Sequence, residues 1–175
     1  MPFTVGGGIT SIDMIRDVLH AGADKVSINT AAIKNPEFVK ESSRQFGSQC
    51  IVVAIDAKKV ADNKWEIFTH GGRNRTGIDA IEWSKRMNDY GAGELLVTSM
   101  DADGTKNGYD IELTQTISEL VSIPVIASGG AGTKQHIADV LSICDAALLA
   151  SLLHYGEETI QTIKETCKNN NLAIR

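Results

Sequence analysis

Two clusters of glycine, each at the end of a short and mainly apolar run, are the residues whose types and spacing point most directly to a chemistry. The first is Gly6-Gly7-Gly8 after residues 3–5, and the second is Gly129-Gly130 after residues 124–127. Glycine lets the backbone take positive φ and leaves no Cβ between the amides and an approaching anion. An apolar strand that leads into such a turn predicts a site that binds phosphate.

The segments that follow the two clusters repeat one another. Gly8 and Gly130 are 122 residues apart, and Asp24 and Asp145, which begin the next apolar run in each copy, are 121 apart. These runs end in polar residues: Asn29, Thr30 and Ser151. Two copies of one anion site predict a substrate with a phosphate at each end.

A carboxylate follows one of the most apolar runs in the chain. Asp56 comes directly after residues 51–55, at the predicted carboxyl end of a buried strand. Parallel βα folds keep their functional side chains at that end, and an Asp there can act as a general acid or base. A capping or salt-bridging Asp is the alternative that the residues alone leave open.

Composition excludes several classes of function. The net charge is −5 and aromatic residues make up 5%, so neither a basic stripe nor a stacking platform for nucleic acid is expected. Three distant cysteines (Cys50, Cys144 and Cys167) indicate reduced thiols with no metal spacing. Apolar runs are strand-length, so no membrane contact is expected. We expect a cytoplasmic protein without a cofactor or a bound metal.

The elements that must position these residues alternate between β-branched runs and amphipathic segments, which predicts βα units and a parallel sheet in one domain over residues 1–175. Strands are predicted near 3–5, 25–28, 51–55, 94–98, 124–127 and 146–150. Helices are predicted near 11–21, 36–46, 79–90, 111–121, 134–142 and 157–169.

Residues 57–77 interrupt this alternation. Residues 65–69 predict an extra strand paired with residues 58–60, and the glycine-rich, basic stretch 70–77 predicts a loop. Only about six βα units fit into 175 residues, whereas a closed (β/α)₈ barrel needs eight. We therefore expect a barrel without its first two units, whose open sheet edges favour self-association.

The ordered set of motifs resembles one family, the cyclase subunit of imidazole glycerol-phosphate synthase. The match is carried, in family order, by residues 2–9, 22–30, 52–58, 91–94, 103–110 and 127–132. The resemblance implies an α/β fold of the (β/α)₈ TIM-barrel family with the third to eighth strands present. It also implies a histidine-biosynthesis lyase. That enzyme uses ammonia from a glutaminase subunit to convert a bis-phosphorylated ribotide into imidazole glycerol phosphate and aminoimidazole carboxamide ribotide.

The same resemblance implies roles for individual residues. Asp56 matches a catalytic Asp of the family, whose second catalytic Asp and mobile lysine-bearing loop belong to units not matched here. Thr98 and Asp103 match positions that line the substrate pocket. The implied phosphate-binding residues are Gly7, Gly8, Asn29 and Thr30 at one site, and Gly129, Gly130, Ala150 and Ser151 at the other.

Three charged residues are implied to lie at the opposite end of the barrel. Lys25 and Glu94 begin their predicted strands and match a charged gate over the family's ammonia channel. Asp24 matches a position against the glutaminase, which would form a heterodimer with this chain. Ordinary surface salt bridging is the alternative for these residues.

Other functions remain open at this point. A related phosphoribosyl ribotide isomerase shares the repeat and both phosphate sites, although the residues around Asp56 and the pair Lys25 and Glu94 favour the cyclase. A catalytically silent, truncated paralogue that binds phosphate or a partner is the alternative from a different class. A paralogue in a surface-sugar pathway is a further alternative.

Overall fold

The computed structural model of the protein describes residues 1–174. In this part of the chain one sheet contains six parallel strands in the spatial order β1-β2-β3-β6-β7-β8, and two further strands extend it from β3. The strands are β1 (Thr4–Gly6), β2 (Lys25–Ile28), β3 (Ile51–Ala61), β4 (Lys64–Thr69), β5 (Asn74–Asp79), β6 (Glu94–Ser99), β7 (Val125–Ser128) and β8 (Ala146–Ala147).

Helices follow the parallel strands, and polar side chains begin several of them. Ser11 accepts a hydrogen bond from the Met14 amide, and Asp110 accepts one from the Leu113 amide. The helices are α1 (Ile12–His20), α2 (Thr30–Lys34), α3 (Glu37–Phe46), α4 (Ala80–Asp89), α5 (Ile111–Leu120), α6 (Lys134–Leu141), α7 (Ser151–His154) and α8 (Ile160–Asn169). A 3₁₀ turn at Ser48–Cys50 leads into β3.

Side chains alternate between the two faces of the curled sheet, as the period of a strand requires. The outer face packs against the helices, and eight of its residues are at most 1% exposed: Val26, Ile28, Val53, Ile55, Leu95, Val97, Val125 and Ala127. The inner face carries partly buried residues: Lys25, Ser27, Ala54, Asp56, Leu96, Thr98, Ile126 and Ser128. The apolar core thus fixes which side chains point to the inner face.

The predicted extra strand is confirmed. β3 continues beyond the parallel sheet and pairs antiparallel with β4, with Lys58 opposite Glu66 and Lys59 opposite Trp65. Residues 70–77 were predicted as a loop, but only residues 70–73 form one, because β5 begins at Asn74 and pairs with β4. The carboxylate of Glu66 accepts hydrogen bonds from Arg75 (2.6 Å) and from the Gly77 amide (2.8 Å), which holds β5 in place.

Elements near the carboxyl ends of two strands also differ from the prediction. The strand predicted over 146–150 is only Ala146–Ala147, and the last helix begins at Ile160 rather than near 157. Two short helices, α2 and α7, directly follow β2 and the β8 region and were not predicted. Five and four residues are too few for a periodic apolar pattern to reveal them.

The repeat inferred from the spacing of the glycines is present in the backbone. Asn29 and Ala150 occupy equivalent places before α2 and α7, with φ of −124° in both and ψ of −88° and −87°. Ser11 and Thr133 cap α1 and α6 with φ of −144° and −146° and ψ of 159° in both. The two copies therefore share a backbone conformation as well as a sequence spacing.

The aspartates of the repeat make equivalent hydrogen bonds. The Phe3 amide donates to Asp24 Oδ2 (2.7 Å), and the Val125 amide donates to Asp145 Oδ2 (2.9 Å). Each carboxylate thus ties the start of one strand to the start of the preceding one.

Within residues 1–174, β1 pairs only with β2 and β8 pairs only with β7, so the sheet forms an open half-barrel. Self-association through these strands stays a prediction. No helix in this range is long and apolar enough to cross a membrane.

Candidate functional site

Four polar side chains form a row across the carboxyl ends of four strands. In the sheet register Asp56 lies beside Thr98, and Thr98 lies beside Ser128. Asn29, directly after β2, completes the row because its side-chain amide donates a 3.0 Å hydrogen bond to Asp56 Oδ2. All four lie on the inner face, where a bound molecule could contact them together.

The environment of Asp56 raises its pKa above that of an ordinary aspartate. Burial raises the pKa of this half-buried carboxyl group, and the negative charge of Asp103 raises it further. The hydrogen bond from Asn29 acts in the opposite direction and lowers the pKa, but burial dominates. A carboxyl group with a raised pKa gives and takes protons more readily near neutral pH than one with an ordinary pKa.

A cavity of about 380 Å³, here called the first-turn pocket, lies beside the first glycine cluster. Gly7 and Gly8 have φ of +94° and +74°, and a Cβ on either would point into open space. These glycines therefore leave their turn accessible, as the sequence predicted. The lining residues are Gly7, Gly8, Ile9, Thr10, Ser27, Asn29, Thr30, Ala31, Lys34, Ala54 and His70.

Asn29 has an unused acceptor at this pocket. Its Oδ1 is buried and has no hydrogen-bond partner in the described part of the chain, whereas its Nδ2 donates to Asp56. Buried polar atoms are rarely left without a partner, so an unpaired one beside a pocket points to a ligand that donates a hydrogen bond there.

A second cavity, the second-turn pocket, has a volume of about 190 Å³ and lies beside the second glycine cluster. Its lining residues are Asp103, Gly104, Lys106, Ser128, Gly129, Gly130, Ala131, Leu148, Ala150 and Ser151. The four residues predicted for the second phosphate site are thus brought together. Thr98 lies between the two pockets in the row, and Asp103 belongs to the second.

Gly130 is required by packing, in contrast to Gly7 and Gly8. A Cβ on Gly130 would lie 2.0 Å from the carbonyl oxygen of Gly108, whose own amide donates to the Gly130 oxygen (2.8 Å). A Cβ on Gly129 would lie 2.9 Å from the oxygen of Ser99. The second turn is glycine-rich because the loop after β6 packs directly on it.

Three basic residues line the pockets without having been assigned to them from the sequence. Lys34 and His70 line the first-turn pocket, and Lys106 lines the second. Lys34 lies one helical turn after Thr30, and this spacing could have placed it at the same pocket from the sequence. His70 lies in the turn between β4 and β5, so its place at the first-turn pocket could not be inferred before the pairing of these two strands was known.

Lys25 and Glu94 lie at the amino-terminal end of the sheet. They begin β2 and β6, flank β3 between them, and form an ion pair on the inner face with 29% and 21% of their side chains exposed. The carboxylate of Asp24 is bound by the Phe3 amide rather than by another side chain. The predicted contact of these three residues with a partner stays a prediction.

Asp101 and Asp110 have structural partners. The Lys59 amide donates to Asp101 (2.7 Å), and Asp110 accepts from Trp65 Nε1 (3.3 Å) and Ser99 Oγ (3.1 Å). These contacts join the β3–β4 extension to the loop that carries Asp103. Within residues 1–174 no group of three or more His, Cys, Asp or Glu side chains is placed to hold a metal ion.

A parallel βα half-barrel with glycine-turn pockets at the carboxyl ends of its strands is typical of a partial TIM barrel. Comparison with known proteins agrees with that class. Residues 1–159 match the family described as "Histidine biosynthesis protein". The protein named "Imidazole glycerol phosphate synthase subunit HisF" from Bacillus cereus (strain Q1) is 58% identical over 177 residues, which cover 100% of this chain and 70% of that protein.

The chain therefore belongs to the family of the imidazole glycerol phosphate synthase cyclase subunit, an enzyme family of histidine biosynthesis. The resemblance drawn from the sequence motifs is confirmed, and so is the fold class of a partial TIM barrel.

Proposed function

We propose that this chain binds a bis-phosphorylated ribotide with one phosphate in each glycine-turn pocket and with its reacting centre beside Asp56. The substrate is the phosphoribulosyl formimino aminoimidazole carboxamide ribotide. The products are imidazole glycerol phosphate and aminoimidazole carboxamide ribotide. The observation that carries the proposal is the position of Asp56 in a row of polar side chains that joins the two pockets.

The two pockets have the composition that phosphate binding needs. Each combines a glycine-rich turn with hydroxyl donors, from Thr10 and Thr30 in the first-turn pocket and from Ser128 and Ser151 in the second. Each also contains a lysine. A ligand with a phosphate at both ends would extend along the row and pass Asp56 and Thr98.

Asp56 is the residue that we assign to proton transfer. Addition of ammonia and closure of the imidazole ring require protons to move onto and off nitrogen and oxygen atoms. The raised pKa of Asp56 keeps both protonation states accessible closer to neutral pH than for an ordinary aspartate. Asn29 fixes the orientation of the carboxyl group through its amide.

We further propose that ammonia reaches the site from a glutaminase subunit bound at the amino-terminal end of the sheet. The ion pair between Lys25 and Glu94 stands at that end, and the inner face leads from it toward Asp56. The support is the location of the pair together with the word "subunit" in the relative's name.

The test is a product assay with the whole chain and the ribotide, supplied either with ammonium salt or with glutamine and the glutaminase subunit. We expect imidazole glycerol phosphate to form with both nitrogen sources in the parent chain and with neither in Asp56→Asn. Binding without product would favour the catalytically silent paralogue. An isomerised ribotide as product would favour the isomerase.

A further inference from the structure

Lys106 occupies an unusual backbone position beside the second-turn pocket. Its φ is +61°, a backbone conformation that residues other than glycine rarely adopt. Its carbonyl oxygen packs so closely on the second turn that a Cβ on Gly132 would lie 2.0 Å away. Strained positions of this kind concentrate at ligand sites, and here the strain places the lysine at the rim of the pocket.

The ammonium group of Lys106 is already paired with a carboxylate. Glu157 Oε1 lies 2.5 Å from Lys106 Nζ, and the two side chains are 37% and 45% exposed. The amide of Glu157 donates to the carbonyl of Leu152, a residue only 1% exposed, so the segment between α7 and α8 is anchored to α7. Glu157 thus reaches Lys106 from a fixed backbone.

The next residue makes a second, looser ion pair that serves as a comparison. Glu158 lies 3.8 Å from Lys134, whose side chain is also 45% exposed. Lys134 begins α6 and does not line the second-turn pocket. Two lysines with the same exposure are therefore held by consecutive glutamates, but only Lys106 is at the rim of a pocket.

The first-turn pocket has a different arrangement. Its lysine, Lys34, has no carboxylate within 4.0 Å in the described part of the chain. An anion that enters the first-turn pocket meets an unpaired ammonium, whereas an anion that enters the second competes with Glu157. The two pockets are therefore unequal despite their common backbone.

We propose that Lys106 is an exchangeable cation that leaves Glu157 to bind a phosphate in the second-turn pocket. This inference rests on the proposed function, because it assigns an exchangeable ion pair to one of the two proposed phosphate sites. An exposed ion pair is weak, and a phosphate dianion carries more charge and more acceptor oxygens than a carboxylate. Exchange consequently favours the phosphate and leaves the carboxylate of Glu157 without its cationic partner.

Titration with inorganic phosphate, followed through the backbone amide signals of Gly130 and Gly8 in NMR spectra, measures each pocket separately. We expect Lys106→Met to weaken binding at Gly130 about tenfold and to leave binding at Gly8 unchanged. We expect Glu157→Gln to tighten binding at Gly130 about two- to fivefold, because the competitor is removed. Lys134→Met and Glu158→Gln are the matched controls and should change neither.

The double variant Lys106→Met/Glu157→Gln separates competition from a general charge effect. Under the proposal it binds phosphate as Lys106→Met does. If Glu157→Gln tightens binding to the same extent without Lys106, or leaves binding unchanged when Lys106 is present, the exchange does not occur. Absence of any phosphate shift at Gly8 and Gly130 in the parent chain would instead contradict the proposed function itself.

Discussion

Asn29 Nδ2 donates a 3.0 Å hydrogen bond to Asp56 Oδ2, and this contact joins the first-turn pocket to the residue that we assign to proton transfer. The same asparagine leaves its buried Oδ1 without a partner. One side chain thus holds the Asp56 carboxyl group with its amide nitrogen and leaves its amide oxygen available to a ligand.

Replacement of Asn29 by alanine should raise the pKa of Asp56. The hydrogen bond lowers that pKa, so its loss leaves burial and the charge of Asp103 unopposed. Carbon-detected NMR titration of the Asp56 carboxyl group would measure the change directly, and the pH profile of turnover should move to higher pH with it. A pKa that stays in place or falls would show that the amide does not stabilise the carboxylate.

Asp56→Asn should abolish turnover, preserve phosphate binding and raise stability at neutral pH. Burial raises the folded-state pKa, so the contribution of Asp56 to stability is fully present below its unfolded pKa and is lost as pH rises through the raised value. The neutral amide avoids that loss. Thermal unfolding of both proteins at pH 7 and at acidic pH would reveal it, with the difference largest at pH 7. A parent chain more stable than the variant at pH 7 would contradict the burial argument.

Alanine substitutions in the two glycine turns should have unequal costs. Gly130→Ala combines a positive φ with a backbone clash at 2.0 Å and should lower the free energy of unfolding by about 3 kcal/mol. Gly8→Ala meets no atom within 4 Å and should cost only about 1 kcal/mol, for its positive φ. Urea unfolding measures both. Gly8→Ala, still folded, should also bind phosphate more weakly at the first-turn pocket, and equal losses of stability would refute the packing role of Gly130.

The ion pair between Lys25 and Glu94 should contribute modestly to stability but strongly to the use of glutamine. A double-mutant cycle with Lys25→Met and Glu94→Gln should give a coupling free energy of about 0.5–1 kcal/mol, since both side chains are partly exposed. The same variants should lower glutamine-driven turnover more than ammonium-driven turnover. Equal losses with the two nitrogen sources would assign the pair a structural role only.

Periodic apolar patterns were enough to predict the parallel strands and the longer helices. The pairing of β3 with β4 was also predictable, because Asp62 and Asn63 can form a turn between residues 58–60 and 65–69. β5 was not, because its place depends on contacts that Glu66 makes with Arg75 and Gly77 across the turn. Such nonlocal pairing leaves no period in the sequence.

The site shows the same limit. Glycine clusters and polar strand ends pointed to several of the residues that line the two pockets, since these features are local. Asp103 and Ala150 were expected there only from the family resemblance. The side chains of His70 and Lys106 reach the pockets from a hairpin and from a strained loop, which sequence spacing does not encode. The different reasons for the glycines at positions 8 and 130 likewise appear only once their neighbours are known.

The equal backbone angles at Asn29 and Ala150 have a consequence for how the two halves can diverge. A main chain that is already in register accepts a new side chain at either position without remodelling its surroundings. The side-chain amide of Asn29 that contacts Asp56 is therefore added to a backbone conformation that both halves share. One half can then contribute to the reaction while the other only binds the ligand. A single substitution at position 29 or 150 can therefore change what one pocket does while the backbone of both turns stays the same.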